Sequence, residues 1–172
     1  HVHARDAAGR STFHRRIFGK MIRGIRRERP GAIICATTSG RRYRAFRQRS
    51  SVLDLAGKGR PDMGSLTTGS LNFPDGPSIN HPDMIERLAA RMKQRGIKQE
   101  IEVLELGMVN TAKMLIKKGI IAPPYYFNIL LGSMHTAPAT VLNLCAFVQG
   151  LPPNAIWSAT GLGKFQFPIN TA

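Results

Sequence analysis

The sequence is short of acid, cysteine and aromatic residues, and each shortage narrows what the chain can be. Only two cysteines occur in 172 residues, Cys35 and Cys145, so a disulfide-stapled secreted scaffold is excluded. Both lie in apolar stretches, where a buried free thiol is expected. One tryptophan and an aromatic content of 7% leave no interleaving of rings with basic residues of the kind an RNA-binding sheet needs. The longest apolar run, around 125–132, is far too short to cross a bilayer, and no signal-like segment opens the chain. A cytoplasmic location without membrane association is therefore expected. A dinucleotide fingerprint is also missing, because Gly161-Leu162-Gly163 lacks the third glycine and the downstream acid.

What is present is an ordinary core and an unusual charge. A hydrophobic content of 42% and a mean hydropathy of −0.16 suit a single globular domain over 1–172. Ten acids stand against 25 lysines and arginines, a net charge of +15, with arginines concentrated at 15–16, 23–29 and 41–49. Such a balance raises nucleic acid as a partner. The basic residues fall mostly on segments read as outer helices and loops, however, so a nucleic-acid partner is not expected.

Apolar, strand-like runs recur at 32–36, 63–66, 101–106, 127–131 and 155–160. Helical spacing fills the intervals at 13–22, 82–92, 110–118 and 139–149, with Pro82 suited to a first turn and Gly96 to a stop. If the opening residues are counted as a strand end, strands recur about every 30 residues, the size of one βα unit. The chain reads as parallel α/β. An open doubly wound sheet is the alternative to a barrel at this point.

The opening His1-Val2-His3 is the first stretch that suggests chemistry. In an extended strand alternate side chains share a face about 6.5 to 7 Å apart, close enough for two imidazoles to share one metal ion. Two ligands are not a site, and at least one more must come from elsewhere. Other stretches follow in order: Ile33-Ile34-Cys35-Ala36-Thr37-Thr38-Ser39-Gly40, Pro61-Asp62-Met63-Gly64-Ser65-Leu66-Thr67-Thr68-Gly69-Ser70-Leu71-Asn72-Phe73-Pro74 and Gln99-Glu100-Ile101-Glu102-Val103-Leu104-Glu105. Pro138-Ala139-Thr140 and Trp157-Ser158-Ala159-Thr160-Gly161-Leu162-Gly163 complete the series. Over essentially its whole length the chain resembles the beta-keto acid cleavage enzymes, zinc-dependent TIM barrels that exchange acyl groups between a beta-keto acid and acetyl-CoA.

The resemblance implies a (β/α)8 barrel, incomplete here, with His1 and His3 ending the second strand and the visible strands running from the second to the seventh. The chain opens without methionine and is expected to be a piece of a longer protein, inactive by itself. The resemblance further implies Zn2+ on His1 and His3, a third ligand, glutamate, beyond Ala172, and an acid before His1. A homo-oligomer is expected. The basic surplus would suit the phosphates of an acyl-CoA. The competing readings are another metal-dependent aldolase or hydrolase on the same barrel, and a non-catalytic or nucleic-acid-binding remnant.

In such a barrel the active site lies where strands end. Thr37, Thr38 and Ser39 end one strand and could bond a substrate carboxylate, although Ser and Thr also form turns and caps there. Ser65 and Thr67 share a strand face, and the family's hydroxyl falls on one of them. Ser70 and Asn72 are placed in the following loop as substrate contacts. Glu100 and Glu102 share a face of the next strand; the family glutamate matches Glu102, with Glu100 as the alternative, to position the substrate or hold a proton of a metal-bound histidine. Asn128 and Trp157-Ser158 are pocket candidates, and Gly161 and Gly163 would let backbone N–H groups approach a phosphate or thioester. His14, His81 and His135 have no partner spacing and are assigned to the surface or to loops.

Overall fold

The computed structural model describes residues 1–74 and 76–172. Its strands are β1 (Cys35–Ala36), β2 (Met63–Thr67), β3 (Leu71–Phe73), β4 (Gly76–Ser78), β5 (Lys98–Val103), β6 (Tyr126–Leu131) and β7 (Ile156–Gly161). All but β3 and β4 form one parallel sheet in the order β1-β2-β5-β6-β7. The opening residues extend it beyond β1: Val2 N donates to Cys35 O at 2.8 Å, and Thr37 N donates to Val2 O at 3.2 Å. Neighbours in space are thus neighbours in chain order. A doubly wound sheet would reverse direction at a switch point, and this one does not. The sheet is a section of a (β/α)8 barrel wall.

Between the strands run α1 (Arg15–Glu28), α2 (Phe46–Arg49), α3 (Pro82–Gln94), α4 (Leu106–Lys117), α5 (Val141–Gly150) and α6 (Gln166–Asn170). Helix α1 buries Phe18 and Ile22, one turn apart, and leaves its basic residues outside. Its Arg26 donates to Arg60 O at 2.6 Å and to Asp62 Oδ2 at 2.8 Å, which ties the helix to the loop entering β2. Helix α3 starts and stops as expected, with Pro82 in its first turn, the His81 ring accepting from Asp83 N at 3.3 Å, and Gly96 at a φ of +61°.

Several boundaries differ from the sequence expectation. β1 is two residues long, since Ile34 N donates to Asp62 Oδ2 at 2.8 Å instead of to the ladder, and Ile33 before it is 76% exposed. Helix α4 begins at Leu106 rather than near 110, since the ladder ends at Val103 and Glu105 O already accepts from Met108 N at 2.9 Å. The stretch expected as a loop after β2 holds the antiparallel pair β3–β4. Cys35 is buried as expected, but Cys145 is exposed on α5, whose Leu144 and Phe147 face the core instead.

The register sorts residues onto two faces. Outward go Leu66, Ile101, Val103, Phe127, Ile129 and Leu131, all at most 1% exposed, against Leu88, Met92, Leu115 and Phe147 of the helices. Inward go Ser65, Thr67, Glu100, Glu102, Tyr126, Asn128, Ser158 and Thr160, as the pairings Ser65 with Glu100, Glu102 with Asn128, and Asn128 with Ser158 require. The outer face supplies the hydrophobic core. The inner face is polar, which costs stability unless its groups pair with one another or with a ligand.

Candidate active site

The polar inner face is knitted into one hydrogen-bond network centred on Glu100. Its Oε2 lies 2.7 Å from His1 Nδ1 and accepts from the Cys35 thiol at 3.0 Å, while its Oε1 accepts from Asn128 Nδ2 at 3.1 Å. Asn128 Oδ1 in turn accepts from the hydroxyl of Thr160 at 2.8 Å and from that of Ser158 at 3.4 Å. Ser158 Oγ is 2.8 Å from the Tyr126 hydroxyl. Four strands and the opening segment therefore meet through Glu100 and Asn128. Burial pushes the Cys35 thiol far up, with the Glu100 carboxylate adding to it, so Cys35 serves here as a neutral donor.

His1 and His3 lie on the same face, as alternation requires. Their rings stack with centroids 5.0 Å apart and planes 11° from parallel. Burial lowers the pKa of His3, and the neighbouring Arg5 lowers it further, which favours the neutral imidazole that binds metals. With Nδ1 of His1 facing Glu100, Nε2 is the ring nitrogen left to meet a ligand. Ligand atoms of His1, Cys35 and Glu100 lie within 4.8 Å of one another. Cys35 as a neutral thiol and Glu100 turned to His1 Nδ1 brace this cluster from behind, and the imidazole nitrogens of His1 and His3 are the donors that suit a divalent ion of zinc type.

The carboxylate behind the histidine is thus Glu100 and not Glu102. Glu102 stands 4.0 Å from His1 Nδ1, too far for a hydrogen bond, because the stagger of the strands brings the deeper of the two acids level with His1. Glu102 instead accepts from the Thr67 hydroxyl at 2.6 Å and lines the cleft. Burial, helped by the charge of Glu100, raises its pKa to about 7, against the opposing pull of Thr67 and Arg49.

A cleft of about 440 Å³ opens at the C-terminal ends of the strands. His3, Thr37, Thr38, Ser39, Thr67 and Glu102 all line it. Thr37 Oγ1 accepts from Ser39 N at 3.2 Å and Ser39 Oγ accepts from Arg41 N at 3.3 Å, so the turn chemistry anticipated for these residues is present. Because both hydroxyls act there as acceptors, their hydrogens stay available to a ligand oxygen. Thr38 is committed elsewhere, donating to Ser65 O at 2.6 Å while its N–H donates to Ser65 Oγ at 3.2 Å. Ser65, 2% exposed, lies beneath the cleft and fastens β1 to β2.

The remaining candidates separate. Asn128 joins the network below the cleft. Ser70 Oγ accepts from Asn80 N at 2.8 Å and Asn72 is exposed on β3, so neither lines the cleft. Trp157 faces outward and is 44% exposed, neither pocket nor core. Gly161 also faces outward, and its missing side chain makes room for the chain itself: a Cβ there would stand 2.0 Å from Phe165 O. Gly163 has a φ of +58° in open surroundings. His14 and His81 precede helices and His135 is exposed.

Sequence reasoning missed Arg49, Asn80 and Tyr43. Arg49 is 4% exposed, lines the cleft and donates to Thr38 O at 2.8 Å and Asn80 Oδ1 at 2.7 Å. Burial lowers its pKa to about 10, so it keeps its charge at neutral pH. Gly40 leaves the space it occupies, since a Cβ there would meet the guanidinium at 2.7 Å. These partners are 11 and 31 residues from Arg49 in sequence, with no periodic signal between them.

Known proteins supply an independent comparison. The chain is 35% identical over 172 residues to a 3-oxoadipate:acetyl-CoA acetyltransferase of Cupriavidus necator, covering 98% of this chain and 59% of that protein. It is 31% identical over 170 residues to a 3-keto-5-aminohexanoate cleavage enzyme of Fusobacterium nucleatum subsp. nucleatum, covering 98% of this chain and 60% of the relative. The chain thus spans about three fifths of these relatives. The solved apo structure of ObcA superposes with a TM-score of 0.76 at 16% identity, over 95% of this chain and 42% of ObcA, and supports the fold. The model of the beta-keto acid cleavage enzymes matches residues 1–172 from end to end, and with the inward histidine pair, the acid behind it and the cleft at the strand ends, the chain belongs to that family.

Proposed function

We propose that the full-length protein carrying this chain is an acyltransferase that exchanges acyl groups between a beta-keto acid and acetyl-CoA, giving acetoacetate and a new acyl-CoA. The observation that carries this reading is a pair of stacked imidazoles, of which His3 lines a cleft that also offers hydroxyl donors. The chemistry needs an electron sink at the keto oxygen and an anchor for the carboxylate. Zinc held by His1 and His3, when bound, would supply the first by polarising that oxygen. Thr37 and Ser39 supply the second, each with a hydroxyl hydrogen free to donate to a carboxylate oxygen.

Glu100 engages Nδ1 of His1, which would leave Nε2 to hold the ion when it is bound. Glu102, gripped by Thr67, faces the bound substrate and orients its reacting carbon. Arg49 adds a fixed positive charge beneath Thr38 and favours an anion in the cleft. The helices seal the outer face, and ligand reaches the site from the strand ends, as in other barrels.

The test is acyl exchange by the full-length protein: a beta-keto acid is incubated with acetyl-CoA, and acetoacetate and the new acyl-CoA are followed by chromatography. Both products are expected in equal amounts. Hydrolysis of the keto acid without acyl-CoA formation would favour a hydrolase on the same barrel.

A further inference from the structure

The reading just given leaves open which beta-keto acid is used, and the charge of the cleft bears on that choice. Among the described residues lining it, Glu102 is the only acid, and that carboxylate already accepts from Thr67. Arginines stand opposite. Arg49 is buried at the inner wall with backbone and amide oxygens as its hydrogen-bond partners and no carboxylate among them. Arg5 and Arg42 stand at the mouth, where the cleft meets a second groove of about 660 Å³, and both line the two cavities.

The mouth is a fixed structure. Tyr43 donates its hydroxyl to Ser11 O at 2.7 Å and sets its ring edge-on to Phe13 at 4.8 Å, which pins the loop carrying Arg42 against the segment carrying Arg5. Arg5 is held by a hydrogen bond to Ser11 Oγ. Asp6, the one acid among the described residues of the groove, accepts from Arg10 Nε at 3.0 Å and from the backbone N–H groups of Ala8 and Arg10, both at 2.9 Å. It is engaged and offers little to a cation.

We infer that the cleft selects a beta-keto acid with a second carboxylate at its far end, read at the mouth by Arg42 and Arg5, over one with an ammonium tail. This rests on the proposed acyl exchange. With the keto end against His3 and the hydroxyls of Thr37 and Ser39, the tail extends to the junction of the two cavities. A distal carboxylate there meets guanidinium groups, which pair with carboxylates through two N–H donors. A distal ammonium meets like charge, and among the described residues lining the two cavities no carboxylate is free to offset it.

The test compares three keto acids in the full-length protein at saturating acetyl-CoA: 3-oxoadipate, 3-keto-5-aminohexanoate and the uncharged-tail 3-oxohexanoate. The kcat/KM for 3-oxoadipate is expected to exceed that for 3-keto-5-aminohexanoate by roughly a hundredfold. Arg42→Gln, at an exposed position that should leave folding intact, is expected to lower the ratio of 3-oxoadipate to 3-oxohexanoate about tenfold. Arg42→Glu should move it further and improve the standing of 3-keto-5-aminohexanoate. Preference of the wild-type protein for the ammonium substrate would overturn the inference. So would an equal loss on all three substrates in Arg42→Gln with a raised KM for acetyl-CoA, which would assign Arg42 to the coenzyme. If no keto acid is turned over, the proposed activity is what fails, and calorimetry decides the selectivity alone: 3-oxoadipate must bind more tightly than 3-keto-5-aminohexanoate and lose that advantage in Arg42→Gln, and equal affinities refute it.

Discussion

His1 Nδ1 and Glu100 Oε2 are 2.7 Å apart, and the same oxygen takes the Cys35 thiol at 3.0 Å. One carboxylate thus joins the opening segment, β1, β5 and, through Asn128, β6. Glu100 is 5% exposed, so these bonds replace the water it lost on folding.

Replacing Glu100 by alanine should therefore act on two levels. The Asn128 amide and the Cys35 thiol lose their acceptor, and the fold should be destabilised by about 3 kcal/mol, read from chemical denaturation. His1 also loses the partner that orients it, and metal affinity should fall roughly 10- to 100-fold. A stability loss with unchanged metal affinity would show that Glu100 only braces the sheet.

Glu102 gives a prediction in pH. Its folded pKa is raised to about 7 from a usual value of 4.5, so the folded state prefers the protonated acid. Stability should be fully retained below about 4.5, fall as the pH rises toward 7, and level off above. In the metal-free protein, Glu102→Gln should raise the melting temperature at pH 8 and change it little near pH 4. An equal effect at both pH values would mean that the charge of Glu102 is not what burial opposes.

Much of this arrangement was legible in the sequence. The runs at β2, β6 and β7 marked their strands, the interval of about 30 residues marked the βα repeat, and parity placed Ser65 with Thr67 and Glu100 with Glu102. What parity does not reveal is depth. Glu100 and Glu102 share a face, and only the stagger between the opening segment and β5 decides which one reaches His1. Cys35 shares parity with Thr37, a signal that could have placed its thiol on the inner face. Arg49 reaches Asn80 across 31 residues, a relation that exists only once β3 and β4 have folded back. Cys145 was misjudged because α5 is apolar on several faces, and hydrophobicity alone did not show which side turns inward.

The two glycines after the sixth barrel interval separate packing from ligand approach. A methyl group at Gly161 would stand 2.0 Å from Phe165 O, so Gly161→Ala should displace α6 from β7 and cost about 3 kcal/mol or more. Gly163 has open space around it and only a φ of +58° to satisfy, so Gly163→Ala should cost about 1 kcal/mol. Thermal denaturation of the two variants checks the order. If Gly163→Ala instead weakened acyl-CoA binding with little loss of stability, the backbone there would be the part that approaches ligand.

The histidine pair carries the prediction that bears most directly on mechanism. Lowered basicity of His3 favours its neutral ring, and the Glu100 bond to His1 Nδ1 leaves Nε2 as the nitrogen that can face a shared ion. The full-length protein should retain about one zinc per chain after dialysis, as three protein ligands and an open position imply. His1→Ala and His3→Ala should each remove the zinc and abolish acyl exchange, whereas His135→Ala, at an exposed loop position, should leave metal content unchanged. Retention should also weaken as the pH drops below about 6.5, because each ligand must shed a proton to bind. Metal content and activity measured on the same samples decide the matter. Stoichiometric zinc in a protein lacking both His1 and His3 would refute the ligand assignment, and full activity after chelation would show that the histidines serve the substrate directly.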